Sequence, residues 1–350
     1  MNSTGSQLAT HPSGRGGLRL REVCTWRGGA RAAYSIVHDD VGQPEADGAL
    51  ASGLPELSQR ALRAGFACVM GDIEGRGLWP QLAALVGDGH EVLNHSWDHC
   101  NLVERPEYAL QIDRPHALCL RRLGGHAPSL FAFPYDAFDP AALEYLRAFG
   151  YAGARAGERG VNDCEAPSDD FSIRFDTYGP DYSVYESSVL DAHVDAALET
   201  GGWALREFHG VQDDSWQSIS RRDYATHLDR LVELRRRGEL WVDTPGEVRA
   251  YRRRRAEAGS CQWVDHELRF SCGDPGAGND GDLTVEFESD TDVSVRATQA
   301  GRALECRLQP TGRWLVDINP FSGPTKFAVH PLGGRAHFHR PHHSSQASPS

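Results

Sequence analysis

The sequence predicts an α/β protein: a (β/α) barrel over residues 28–255, then a small antiparallel β-sandwich over 256–335. Three observations carry this. Apolar strand-like runs alternate with helical patterns as far as Arg255, which implies parallel strands joined by right-handed crossovers. Seven or eight strand candidates fall in this region, and that number favours a closed or nearly closed barrel over an open sheet, with chemistry at the C-terminal strand ends. Beyond Arg255 the pattern changes to short alternating strands separated by Gly, Asn, Asp and Pro turn signals.

The elements follow in order. Residues 1–27 are polar and Gly/Ser-rich and read as a flexible N-terminal segment. Ala32–Val37 reads as a buried strand, Leu54–Gly65 as a helix, Phe66–Met70 as a strand, Leu78–Val86 as a helix and His90–Leu93 as a strand. Ser129–Phe133, Tyr151–Arg155 and the apolar run Trp203–Phe208 are further strands. Asp139 caps a helix with Pro140 at its first position and Gly150 at its stop. Ser220 opens a helix whose face is Tyr224, Leu228, Leu231 and Leu234, with Gly238 at its end; Thr244-Pro245-Gly246-Glu247 is a capping box. In the sandwich, Leu268–Cys272, Leu283–Glu288, Val293–Thr298, Leu304–Leu308, Trp314–Ile318 and Phe327–His330 read as strands. Residues 336–350 are a His-rich tail that reads as disordered, and His339 and His343 there read as solvated side chains.

Composition narrows the partners. Acidic residues outnumber basic ones, 49 to 36, for a net charge of -13, which opposes binding to nucleic acid or an anionic membrane. There is no signal-like apolar run near the start and no span-length apolar stretch, so a cytoplasmic location is expected. The eight cysteines show no Cys-x-x-Cys spacing, which speaks against a cysteine zinc site; Cys261, Cys272 and Cys306 are near enough in sequence for one disulfide in an exported protein.

Three clusters that follow predicted strands carry the chemistry: His38-Asp39-Asp40, His95-Ser96-Trp97-Asp98-His99 and Phe208-His209. Two histidines at i and i+4 on a helical turn share one face, and one carboxylate completes a metal site with open positions. Adjacent aspartates at a strand end are costly unless a cation meets them; with one on a metal, the other is free to serve as a base. Trp97, Trp216, Tyr178 and Tyr182 are candidate aromatic walls for a sugar ring.

These residues resemble the motifs of the polysaccharide deacetylases, the NodB-type carbohydrate esterases, over residues 28–255. Asp39-Asp40 matches the first motif, His95-Ser96-Trp97-Asp98-His99 the His-[Ser/Thr]-x-x-His motif, Ala132-Phe133-Pro134-Tyr135 the Arg-x-Pro-Tyr motif, and His209 the strand-terminal histidine. The resemblance implies a distorted (β/α) barrel. It implies Asp40, His95 and His99 as ligands of one divalent metal, usually zinc, with cobalt, nickel or iron as alternatives. It implies Asp39 as base, His209 as acid and the Tyr135 backbone N–H as oxyanion donor, with Trp97, Pro134 and Trp216 toward the substrate.

The sequence departs from the family at several points. The motif arginine that orients the catalytic aspartate is Ala132 here, and Arg155, at the next strand end, is the first candidate to replace it, ahead of Arg174 and Arg206. Asp136 stands where glycine is common, His38 precedes the aspartate pair as a supporting donor or extra ligand, and Asp176 is the candidate for tuning His209.

The expected activity is metal-dependent hydrolysis of a C–N bond other than a peptide bond, foremost de-N-acetylation of an amino sugar or a sugar-containing small molecule or oligosaccharide. Another small amide, cyclic amide or formamide is the alternative. A non-haem Fe(II) oxygenase has the same ligand set, but Asp39 and His209 speak for hydrolysis. A non-catalytic carbohydrate-binding protein is the third class. The sandwich is a candidate for glycan binding, homo-oligomerisation or covering one end of the barrel.

Overall fold

The computed structural model describes residues 17–179, 189–272 and 281–332. A first strand, β1 (Leu18–Val23), precedes a parallel sheet formed by β2 (Ala32–Val41), β3 (Gly65–Cys68), β4 (Glu91–Asn94), β5 (Leu130–Ala132), β6 (Gly153–Arg155), β7 (Asp176–Thr177), β8 (Trp203–Phe208) and β9 (Leu240–Val242). The sheet order is β6-β5-β4-β3-β2-β8-β7, and β9 pairs with the start of β2. β8 lines one edge of β2 while β9 and then β3 share the other, since Ala33 faces both Trp203 and Trp241, and Val37 faces both Gly65 and Glu207.

The sheet is therefore a curled half-barrel, open between β6 and β7, rather than a closed ring. Three residues of β6 and two of β7 are too few for a continuous ladder there. The loop between them bridges the gap instead: Ala154 N–H donates to Asp170 O, and Ile173 N–H to Ala154 O. One buried carboxylate, Asp170, ties this loop to the helix Pro245–Glu257 through Arg249, Arg252 and Arg253.

Strand alternation sorts the core into two faces. Tyr34, Ile36, Ala204 and Phe208 point outward to the helices, while Ala33, Val37, Trp203 and Leu205 point into the half-barrel. The helix termini form where the sequence places them. Asp139 accepts from Ala142 N–H, Ser220 from Asp223 N–H and Thr244 from Glu247 N–H. Gly150, at φ 105°, closes its helix in a conformation that penalises any side chain.

The remaining strands are β10 (Cys261–Val264), β11 (Glu267–Phe270), β12 (Leu283–Ser289), β13 (Val293–Gln299), β14 (Arg302–Leu304), β15 (Cys306–Leu308), β16 (Arg313–Ile318) and β17 (Thr325–Pro331). They form two antiparallel sheets, β1-β12-β16-β15 and β10-β11-β17-β13-β14, around a core that includes Phe287, Val316 and Phe327. Two expectations need correction. Leu18–Val23, placed by sequence in a flexible segment, is a strand paired with β12, and its partner lies too far along the chain for local pattern to reveal. β10 forms a hairpin with β11 that the strand list lacked. All eight cysteines are free thiols, Cys261, Cys272 and Cys306 included.

The sandwich meets the half-barrel at the N-terminal ends of its strands. Trp26 and Leu283 join the inner core, Tyr251 Oη donates to Cys24 O at 3.0 Å, and Thr284 N–H donates to Tyr251 Oη at 3.2 Å. No described helix is long and apolar enough to cross a membrane.

Candidate active site

The strand ends opposite the sandwich open onto a cavity of ≈ 440 Å³ lined by residues from β2, β4, β5, β6, β7 and β8 and the loops that follow them. None of its lining comes from the sandwich sheets. Asp39 and Asp40 stand near the end of β2. Asp40 adopts φ 59°, a kink that brings it to the cavity along with its neighbour despite strand alternation.

Asp40 Oδ1, His95 Nε2 and His99 Nε2 all lie within 4.8 Å of one another, with Oδ1 3.4 Å from His95 and 3.0 Å from His99. The histidines do not share a helical face, as sequence spacing suggested. The segment is a loop, and left-handed backbone at Ser96 (φ 69°) and His99 (φ 54°) turns the two imidazoles to one point. His95 Nδ1 lies 2.8 Å from Ala132 O; a donated N–H there leaves the Nε2 lone pair facing Asp40. Asp40 Oδ1 is buried without a well-aligned hydrogen-bond donor. A buried carboxylate oxygen beside an imidazole lone pair is a set that a divalent cation satisfies, and two nitrogens with one oxygen suit zinc or a neighbouring transition metal.

Asp39 borders the same cluster, with Oδ2 3.6 Å from His95 Nε2, but its main partner is different. Its carboxylate is gripped by Arg155, Nη1 to Oδ1 at 2.8 Å and Nη2 to Oδ2 at 2.5 Å. Burial acts to raise the Asp39 carboxyl, but Arg155 and His95 outweigh it and hold it below the usual aspartate value. Ala132 and Arg155 are direct partners in the β5–β6 ladder, so both side chains leave the sheet on the same face. The arginine absent from position 132 thus has a substitute one strand away at the same level. The weaker candidates are engaged elsewhere: Arg206 pairs with Asp176 at 2.8 Å in a fully buried pair, and Arg174 lies 3.6 Å from Glu158 at the surface. Asp176, the candidate for tuning His209, is buried on Arg206 and is not among the cavity residues.

His209 follows β8, with Nε2 3.8 Å from Asp40 Oδ2. Burial pulls its pKa below the usual histidine value against the opposing pull of Asp39 and Asp40. Trp216 meets its ring edge-on at 4.8 Å. This needs the chain to fold back after His209, and Gly210 permits it: a Cβ there would stand 1.9 Å from Asp213 Oδ2. His38 is not a ligand. It points to the helix side between Phe66 and Phe208, with Nδ1 2.8 Å from His209 O and Nε2 2.8 Å from Tyr224 Oη. Burial takes its pKa down to about 4, so it is neutral and braces the His209 backbone.

Tyr135 and Trp216 form exposed cavity walls, at 69% and 46% exposure. Pro134 is buried and is not among the cavity residues, and Trp97 lies off the cavity, under the Arg114 guanidinium at 3.6 Å from the ring centre. Tyr178 stacks on Phe208 outside it; Tyr182 and the tail histidines lie outside the described residues. Sequence reasoning missed Glu207, Asp136 and Arg159 as cavity residues. Asp136 accepts from Arg159 at 2.8 Å. Glu207 sits on the inward face of β8, a signal readable from strand alternation once β8 is placed.

Carboxylates, imidazoles and a held arginine thus meet at the C-terminal ends of a parallel half-barrel. Residues 35–154, which include Asp39, Asp40, His95, His99 and Tyr135, match the family model "Polysaccharide deacetylase". This segment is similar to the polysaccharide deacetylases. Solved structures similar to the chain include a peptidoglycan deacetylase from Bacillus subtilis, 18% identical, covering 64% of this chain and 93% of that one at TM-score 0.43. Another is a family 4 carbohydrate esterase from Streptomyces lividans in complex with acetate, 20% identical, covering 61% and 92% at TM-score 0.39. A third is a family 4 acetyl xylan esterase from Clostridium thermocellum with a cobalt ion, 15% identical, covering 62% and 89% at TM-score 0.40. No curated protein matches the chain.

Proposed function

We propose that the protein is a metal-dependent amidohydrolase that removes the acetyl group from an N-acetylated amino sugar, free or within a small glycoside or oligosaccharide. The observation that carries this is the division of the aspartate pair: Asp40 meets both imidazoles, at 3.4 Å and 3.0 Å, while Asp39, beside them with Oδ2 3.6 Å from His95, is held by a two-point contact with Arg155. A divalent ion on Asp40, His95 and His99 would acidify a water and polarise the amide carbonyl.

The chain's own groups divide the remaining work. Asp39, kept ionised by Arg155, takes a proton from the attacking water. The Tyr135 N–H donates to the oxygen that gains charge as the carbonyl carbon becomes tetrahedral. His209, in its protonated form, gives a proton to the departing nitrogen, so that amide and water become carboxylate and amine. Tyr135 and Trp216 flank a sugar ring with their apolar faces. The sandwich, at the far end of the half-barrel, acts outside the catalytic cavity.

The test is acetate release from N-acetylated chitooligosaccharides and from small acetamides and formamides by protein of defined metal content. Turnover that depends on added zinc, cobalt or nickel and vanishes in Asp40→Ala supports the reading. Turnover of formamides or cyclic amides alone would move the substrate class while keeping the chemistry.

A further inference from the structure

The replacement arginine has a second anchor. Arg155 is 2% exposed and does not rest on Asp39 alone: Nη1 lies 2.6 Å from Glu207 Oε2, itself on a side chain 4% exposed. Glu207 is pinned in turn, since Thr177 Oγ1 donates to its Oε1 at 3.1 Å. The face of Phe175 supports the guanidinium from another side, 4.6 Å from the ring centre. A long side chain arriving from β6 must cross the half-barrel to reach Asp39 on β2, so its aim depends on what fixes its far end. Glu207 is two residues before His209 on the strand that borders β2, opposite Val37 in the ladder.

We propose that Glu207 is a positioning residue for Asp39, acting through Arg155, so that Glu207 and Arg155 together replace the single arginine that position 132 lacks. Two carboxylates on neighbouring strands define the plane of the shared guanidinium, and that plane defines the rotation of the Asp39 carboxylate. The inference rests on the hydrolytic reading above only for its kinetic consequence; the geometric consequence stands apart from it.

The experiment is a double-mutant cycle with Glu207→Gln, Arg155→Met and the pair, each assayed with p-nitrophenyl acetate and with a chitooligosaccharide, alongside metal analysis and crystal structures. Glu207→Gln keeps shape and replaces one carboxyl oxygen with an amide NH2, which cannot accept from the guanidinium. Expected is a loss in kcat of about 10–100-fold, as for other residues that orient a catalytic group, with KM and metal content unchanged. The double variant should lose no more than Arg155→Met, because both act through one contact. In the Glu207→Gln crystal the Arg155 guanidinium should leave its two-point contact with Asp39. Additive losses, an unchanged kcat or an intact Arg155–Asp39 pair overturns the proposal. An inactive wild type with a displaced guanidinium in the variant would instead overturn the hydrolase reading and leave the positioning role standing.

Discussion

Arg155→Met tests the link between the fold and the chemistry. The wild-type side chain is buried, with Asp39 at 2.8 Å and 2.5 Å and Glu207 at 2.6 Å, so a neutral replacement strips the counter-charge from the buried Asp39 carboxylate and a contact from Glu207, whose carboxyl burial pushes up to about 8. Removing one partner of a buried ion pair costs about 3–5 kcal/mol, because the remaining charge stays desolvated. Asp39 relieves this by taking up a proton. The sign follows from Asp39, whose native pKa lies below the ordinary value: its stabilising contribution is present above the unfolded pKa and is lost as pH falls through the native one. In Arg155→Met that midpoint rises, so the acid limb of the rate profile moves to higher pH. Near neutral pH the loss in kcat approaches the worth of a general base, about 10²–10⁴-fold, with KM little changed. Arg155→Lys keeps the charge but not the two-point grip and should fall between. Urea denaturation gives the stability term, and kcat against pH gives the catalytic one. A variant with wild-type stability, an unmoved acid limb and kcat within about twofold refutes the reasoning.

Three further expectations follow from the same coordinates. His95→Ala leaves Asp40 and His99 as the only members of the ligand set, so elemental analysis of tail-truncated protein should find the site empty; full occupancy would falsify the assignment. His209→Ala should keep its metal, lose about 10²–10⁴-fold on an amide, and recover partly on an activated aryl ester whose leaving group needs no proton; equal losses on both substrates leave His209 without an acid role. His227, buried with Nε2 3.0 Å from Tyr34 Oη, is pushed down to about 3 by burial, so the unfolded chain binds the extra proton below pH 6.5. Stability is therefore full above pH 6.5 and falls with acidification, by about 2 kcal/mol between pH 6.5 and 5 from this residue; His227→Gln should show a denaturation midpoint that drops correspondingly less over that interval.

The parts of the site legible in sequence were those that local pattern fixes. Asp39-Asp40 stand near the end of β2 because a run of apolar residues gives way to two charges, and His209 directly follows β8 for a similar reason. The convergence of His95 and His99 was anticipated for the wrong cause: the 95–99 spacing fits a helical turn, but positive φ at Ser96 and His99 does the work, and neither residue type announces that conformation. Trp97 was misjudged because an aromatic residue inside a motif does not reveal its direction, and here it packs under Arg114. The strand β1 was hidden because its stabilising partner lies at Leu283–Ser289, and Glu207 because a carboxylate on a strand reads as solvated until its ladder neighbours are known.

The loss of the motif arginine at position 132 would count against activity if motifs acted by position. In a parallel sheet they act by direction. Strands lie about 4.8 Å apart, and ladder partners send their side chains to the same face. A long side chain can therefore move one strand sideways and still reach the same target. Ala132 then serves two purposes: its carbonyl fixes His95 through Nδ1, and its small side chain leaves the inner face beside it to the guanidinium of Arg155. The sideways move lengthens the reach to β2, and a longer reach needs a guide, which Glu207 supplies from β8. The substitution is thus a displacement of one charge with a carboxyl group recruited to aim it, and it holds the Asp39 carboxylate by both oxygens beside the Asp40, His95 and His99 cluster.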